Sequence, residues 1–302
     1  MENFLQQLIN GIALGSVYAL VALGYTMVYG VLRLINFAHG DVYMLGAYYA
    51  YYASAKLSVE AHPSLGKVVL VFLISMLGCA LTGMIIERLA YRPLRSAPKL
   101  TALITAIGVS MLLEFGGQAV FGPDPKPFPD LIPSKALYQS ASGALRITNQ
   151  QVLIIGVSLA LMAILRHIVM KTRVGKAMRA ISQDGPAASL MGVNTDRVIM
   201  FTFALGSALA AVAGILIALY QPTINPLMGV RSGLKAFVAA VLGGIGNIPG
   251  AVLGGLLMGL AETAVTTTKF SGFRDAIAFV LLILILLVRP SGLLGSVARE
   301  KV

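Results

Sequence analysis

The chain has 302 residues, of which 57% are hydrophobic and only 12% charged, and its mean hydropathy is +0.84. A soluble domain with a wetted surface needs far more charge, so this balance excludes one and predicts a polytopic membrane protein with room for about eight to ten spans of roughly 20 residues. The net charge of +11 sits mainly in short loops, where it reports membrane orientation and not a nucleic-acid partner.

From the N-terminus, MENFLQQLINGIALGSV has no basic stretch before its apolar residues, so the first segment is expected to be retained and not cleaved as a signal. Apolar runs then fall near 8–29, 34–55, 66–86, 101–121, 151–169, 198–220, 234–267 and 276–288. These eight blocks predict an all-α transmembrane helical bundle forming a single domain over 1–302. Cys79 lies inside the third run and reads as a small core residue, because one cysteine makes neither a disulfide nor a zinc cluster. Two blocks are irregular. The run 234–267 would be about 50 Å long as one helix, well beyond a bilayer core of about 30 Å, and Gly246-Asn247-Ile248-Pro249-Gly250 interrupts it. It is expected to be two segments meeting at a break, or a re-entrant pair. The run 34–55 opens on Asn36-Phe37-Ala38-His39-Gly40-Asp41, too polar to face lipid, and is expected to begin at a cavity.

Lys and Arg near segment ends set the orientation. Loop 87–100 holds Arg88, Arg92, Arg95 and Lys99, loop 170–197 holds Lys171, Arg173, Lys176, Arg179 and Arg197, and the tail after Val288 holds Arg289, Arg299 and Lys301. These regions are expected in the cytoplasm. Loop 122–150, with Pro123, Pro125, Pro127, Pro129, Pro133 and the acids Asp124 and Asp130, is expected outside; Lys269 and Arg274 weaken the contrast. The tetrapeptide Ala13-Leu14-Gly15-Ser16 recurs as Ala204-Leu205-Gly206-Ser207, each opening a segment that ends in Tyr29 or Tyr220. The two segments are expected to run in opposite directions, as in the inverted repeats of transporters.

Catalysis by this chain is not expected. The phosphate-loop pattern fails at Gly175-Lys176, where Met170 stands in place of the first glycine and Ala177 follows the lysine; no zinc helix or nucleophile elbow is present. No metal site or cofactor is expected on the chain. The candidates for a substrate pathway are Asn36, His39, Asp41, Gly246, Asn247, Pro249, Gly250 and Glu262. Ionisable groups at membrane depth are costly unless they face a cavity or each other, and a Pro–Gly break can expose backbone to a polar path. The competing readings are that His39 and Asp41 cap a helix at the cytoplasmic surface near Arg33, and that Glu262, like Glu114, makes a structural hydrogen bond. The spacing Gly246-x3-Gly250-x3-Gly254 also suits close packing of helices.

Within loop 170–197, Gly185-Pro186 reads as a helix start followed by small and apolar residues. Arg179, Asp184, Gly185, Pro186, Ala187, Ala188, Leu190, Met191 and Gly192 form a smooth surface with charge kept to its rim, which suits docking into a protein groove. A helix lying on lipid would carry larger apolar anchors and more Lys or Arg within itself.

Four motifs in this order, Asn10-Gly11-x3-Gly15-Ser16-x-Tyr18-Ala19-Leu20, Ile35 to Asp41, Arg179-Ala180 through Ala187-Ala188-x2-Met191-Gly192, and Val241-Leu242-Gly243-Gly244-Ile245-Gly246, carry a resemblance. The chain resembles the permease subunits of branched-chain amino-acid ABC importers, in particular the shorter of the two permeases such systems use. The resemblance implies a multi-pass protein of the bacterial inner membrane, working by alternating access beside a second homologous permease. It further implies two cytoplasmic ATPase subunits that hold ATP and Mg, and an external solute-binding protein that delivers the amino acid. Stretch 179–192 matches the family's coupling helix. Related permeases serve urea, amides or other amino acids, and an ion-coupled secondary transporter using His39, Asp41, Glu114 and Glu262 as relays is the rival from another class.

Overall fold

A computed structural model describes residues 1–95, 97–269 and 271–295. Arg299 and Lys301 of the basic tail lie outside the described residues. Long apolar runs free of interior breaks give helices at nearly every expected place: α1 (Glu2–Leu32), α2 (His39–Lys56), α3 (Leu65–Ile86), α4 (Lys99–Phe121) and α5 (Asn149–Lys171), then two short helices, α6 (Arg173–Gln183) and α7 (Gly185–Leu190), and finally α8 (Thr195–Tyr220), α9 (Met228–Gly243), α10 (Ile248–Thr266) and α11 (Ala276–Val288). Six of these, α1, α3, α4, α5, α8 and α10, are long and apolar enough to cross a membrane. The shorter α2, α9 and α11 run alongside them.

Among the described residues the eight predicted blocks thus become nine helices, because the long block is a hairpin of two. Gly244 and Gly246 take φ of 102° and 94° at its turn, a region that suits glycine. Asn247 then caps α10, its Oδ1 accepting from the Gly250 N–H at 3.0 Å, with Pro249 in the first turn. Past the turn, Gly250 and Gly254 press on the backbone of Gly243 and Ala239 in α9. For these two the glycine spacing is a packing device.

Helices α1 and α8 form the centre, with 94% and 83% of their most apolar stretches buried, against 17% for α4. Between two hydrocarbon-like surfaces there is little hydrophobic gain, so association in lipid depends on close packing, and small residues supply it. Gly15 of α1 lies against Leu256 of α10, where a Cβ would sit 2.8 Å from the Leu256 Cα; Gly46 of α2 meets Ala211 of α8 in the same way at 2.5 Å. α1 packs chiefly on α10 and α8 chiefly on α3; α2 covers α8 and α3, while α9 covers α1 and α10. Exchanging α1 with α8, α2 with α9 and α3 with α10 reproduces these pairings, and α1 and α8 are antiparallel, as an inverted repeat requires. The tetrapeptide echo is not the point of equivalence: Gly15 faces α10, whereas Gly206 faces Gly24 of α1, and Ser207 is the residue against Gly83 of α3.

The two ends of the bundle differ. One carries α6 and α7. At the other, the proline-rich stretch 122–150 is not a plain loop: β1 (Lys126–Pro127) pairs antiparallel with β4 (Thr223–Ile224), and β2 (Ala136–Gln139) with β3 (Arg146–Thr148). The second hairpin holds the start of α1, since Ser140 Oγ donates to Glu2 Oε1 at 2.7 Å and the Arg146 N–H to Gln6 Oε1 at 2.7 Å.

Candidate functional site

Helix α7 projects from the bundle on a folded base. Thr172 ends α5 and caps α6, its Oγ1 accepting from the Gly175 N–H at 3.1 Å, while the Arg179 guanidinium donates back to the Val169 carbonyl at the end of α5. Sequence reasoning left α6 unrecognised, because a short amphipathic helix has too few residues to stand out among basic ones. Asp184 then caps α7 by accepting from the Ala187 N–H at 2.9 Å, and Gly192, with φ of 84°, closes it. Gly185 and Pro186 occupy the first turn as expected. Leu190 and Met191 stand 89% and 84% exposed, whereas Ala188 is 5% exposed and turned inward. Leu190 and Met191 are therefore the large apolar residues on the outward face, beside exposed Pro186 and Ala187, and Ala188 seats the helix on the bundle.

Directly behind α7, the start of α8 is held by ion pairs. Asp196 accepts from Arg95 Nη1 at 2.5 Å and from Arg92, and Arg95 also donates to Glu87, which is 1% exposed. Glu87 belongs to a π-helical turn, Glu87–Tyr91, that continues α3. From that turn the Tyr91 hydroxyl donates to Asn36 Oδ1 at 3.0 Å. The ion pairs at the start of α8 and the Tyr91–Asn36 bond at the entry of α2 are thus anchored on the same π-helical turn.

Asn36, His39 and Asp41 come together there, but inside protein. They are 3%, 1% and 1% exposed. The His39 ring packs on Gly24 and lies edge-on to Tyr25 at 4.8 Å. Asp41 Oδ2 accepts from Ser110 of α4 at 2.5 Å, and Ser110 is 3.4 Å from Glu114. Gly229 of α9 leaves room for the carboxylate, since a Cβ there would be 2.7 Å from Asp41 Oδ1. The cavities described below are lined by other residues, and a water-exposed surface cap does not describe these groups. The other candidate break, Gly246 to Gly250, lies near the α7 end. Gly246 borders a small cavity of about 80 Å³ with Gly30 of α1 and Met178, Arg179 and Ser182 of α6. Asn247 is committed twice over, capping α10 and donating Nδ2 to the Leu294 carbonyl at 2.7 Å.

Glu262 lies at the opposite end of the bundle and is 0% exposed. Its Oε2 accepts from the Tyr18 hydroxyl of α1 at 2.7 Å. Its Oε1 accepts from Lys235 of α9 at 2.9 Å and from Arg274 Nε. Lys235 reaches on to Asp275 Oδ1 at 2.6 Å, and Arg231 approaches Asp275 Oδ2 only to 3.9 Å. The Lys235 ammonium, its hydrogen-bond donor, holds the Asp275 carboxyl below the ordinary carboxylate range. Two cavities of about 310 Å³ each flank the cluster, and Gln221 and Arg274 line both. Of this cluster only Glu262 was singled out as a candidate. Lys235, inside a block read as apolar, was the signal available for the rest, since a lysine at membrane depth demands a carboxylate.

The chain matches the model of a family described as the permease component of the branched-chain amino acid transport system, over residues 7–287. It is 44% identical to the high-affinity branched-chain amino acid transport permease BraD of Pseudomonas aeruginosa, over 99% of this chain and 98% of that one. It is equally 44% identical, with the same coverage, to the corresponding permease LivH of Escherichia coli, and 26% identical to a probable branched-chain amino acid permease of Methanocaldococcus jannaschii over 95% of this chain and 91% of the other. With a family match across nearly its whole length and relatives of this similarity end to end, the chain belongs to the branched-chain amino acid transport permease family.

Proposed function

We propose that this chain is the membrane-spanning permease subunit of an ATP-driven importer that takes up leucine, isoleucine and valine. Likeness to such permeases over 99% of the chain carries the cargo class. The attachment to an ATPase rests on α7, a capped helix whose exposed residues carry no charge and include the large apolar Leu190, with Met191 just past its end. Such a surface suits a protein groove better than water or anionic lipid. In this reading the α7 end faces the cytoplasm, and ATP and Mg are bound by two separate ATPase subunits. A second homologous permease completes the pathway, and an external solute-binding protein docks at the hairpin end. Closure of the ATPases pushes α7, and the ion pairs from Asp196 through Arg95 to Glu87 pass the displacement to the end of α3.

Leu190→Arg should abolish co-purification of the ATPase subunits from mild detergent and lower leucine uptake at least about tenfold. Melting temperature should stay near that of the parent, because an exposed substitution changes stability by no more than about 0.5 kcal/mol. Ala188→Arg would report folding instead, since that side chain is buried. A parent chain that purifies without an ATPase and still moves leucine on an ion gradient would overturn the proposal.

A further inference from the structure

The cluster around Glu262 has more positive charge than it uses. Glu262 and Asp275 supply two negative charges, whereas Lys235, Arg274 and Arg231 supply three positive ones. Glu262 is fully enclosed, and its two oxygens are taken by Tyr18, Lys235 and Arg274 Nε. It therefore fixes the Arg274 guanidinium by one edge. The side chain is 35% exposed and borders both flanking cavities, so its other edge is left toward them. One cavity includes Arg231, Ser232 and Asp275; the other, also bordered by Gln7, Asn10, Thr263 and Thr266, adds the apolar surfaces of Leu14 and Tyr220. A fixed guanidinium edge beside a cavity is the geometry that binds a carboxylate through two parallel hydrogen bonds. Among the described residues Asp275 Oδ2 makes no hydrogen bond and is approached by Arg231 at 3.9 Å, which leaves it as an acceptor for an ammonium group within the same cavity.

We propose that these two cavities, which share Arg274 and Gln221 in their walls, form a site on the permease itself for a free α-amino acid: Arg274 holds the α-carboxylate, Asp275 receives the α-ammonium, and the branched side chain lies toward Leu14 and Tyr220. This rests on the import of branched-chain amino acids proposed above and gives that cargo its first contacts on this chain. Glu262 and Lys235 are positioning residues here: they hold Arg274 and Asp275 and do not touch the substrate.

Photo-leucine, a leucine analogue bearing a diazirine, tests the site on the intact importer assembled with its native subunits in lipid nanodiscs. After irradiation, labelled peptides are mapped by mass spectrometry while leucine uptake is measured on the same preparation. Labels are expected on segments lining the cavities, around Leu14 to Tyr18 and Tyr220 to Gln221. Excess leucine should suppress them about tenfold, whereas leucinamide, which lacks the carboxylate, should not. Arg274→Gln should cut labelling about tenfold and Arg274→Lys much less. Gln221→Ala, which breaks no ion pair, should cut it several-fold even if Arg274→Gln fails to fold. Leucine uptake with labels elsewhere, equal competition by leucinamide, or unchanged labelling in both Arg274→Gln and Gln221→Ala would overturn the site and leave the importer reading standing. A parent complex that takes up no leucine would overturn the importer reading and the site with it.

Discussion

The two ends of the bundle each bury a glutamate against arginine, and they use it differently. At the α7 end, Glu87 and Asp196 balance Arg92 and Arg95 charge for charge, and the cluster spans from α3 to α8. At the hairpin end, Glu262 and Asp275 face three cations, and the cluster opens onto two cavities. A charge-balanced cluster whose two carboxylates are both met by arginines is a strut, even though Arg95 Nε is left without a partner among the described residues. A cluster with a spare cation beside open space has capacity left for a ligand. The approximate repeat that relates α3 to α10 gives both helices a buried glutamate near one end, and the surroundings decide what each one does.

The comparison is broken most severely at Glu262. Glu262→Ala leaves Lys235 and Arg274 without their shared buried partner, a loss expected to cost about 3–5 kcal/mol. It should appear as a large fall in melting temperature in detergent and in the amount of folded protein. A melting temperature equal to the parent's would show that the cluster is not buried as described. Glu87→Gln should cost less, about 1–3 kcal/mol, because Arg95 keeps Asp196 as a second partner. Adding Arg95→Gln to it should recover part of that loss in a double-mutant cycle, whereas strict additivity would deny the pair any coupling. The smallest effect belongs to Arg231→Gln. At 79% exposure and 3.9 Å from Asp275 this pair should contribute less than about 1 kcal/mol to stability. A destabilisation as large as that of Glu87→Gln would place Arg231 in the structural network and erase the contrast between the two ends.

Much of this molecule is legible from sequence because it follows from local rules. Apolar length placed the helices with ends off by up to six residues, as at the starts of α1, α2 and α9. Glycine and proline at 246 to 250 gave the break, although the chain turns a little earlier, at Gly244 to Asn247, since the asparagine is spent on capping α10. The capped helix after Asp184 was equally visible, because its start signal is a residue type at one position. The strands in 122–150 were not: β1 finds its partner at Thr223–Ile224, about a hundred residues away, and proline-rich composition carries no sign of that pairing.

Hydropathy and turn chemistry are properties of neighbouring residues, and so the sequence by itself determined a polytopic helical chain and the presence of a short capped helix after Asp184. Which side of that helix is free depended on packing, since Ala188 and Leu190 are equally suitable until one is pressed against the bundle. The same holds for the charges. Glu262, Lys235, Tyr18 and Arg274 come from three helices and a loop, and Gly24, Ser110 and Gly229 close around His39 and Asp41, leaving His39 Nε2 and Asp41 Oδ1 without a hydrogen-bond partner among the described residues. An ionisable residue at membrane depth must be satisfied, which sequence shows as a requirement; only the tertiary structure names the partner, because the cost of a buried charge is settled by what lies within a few ångströms of it and not by its place along the chain.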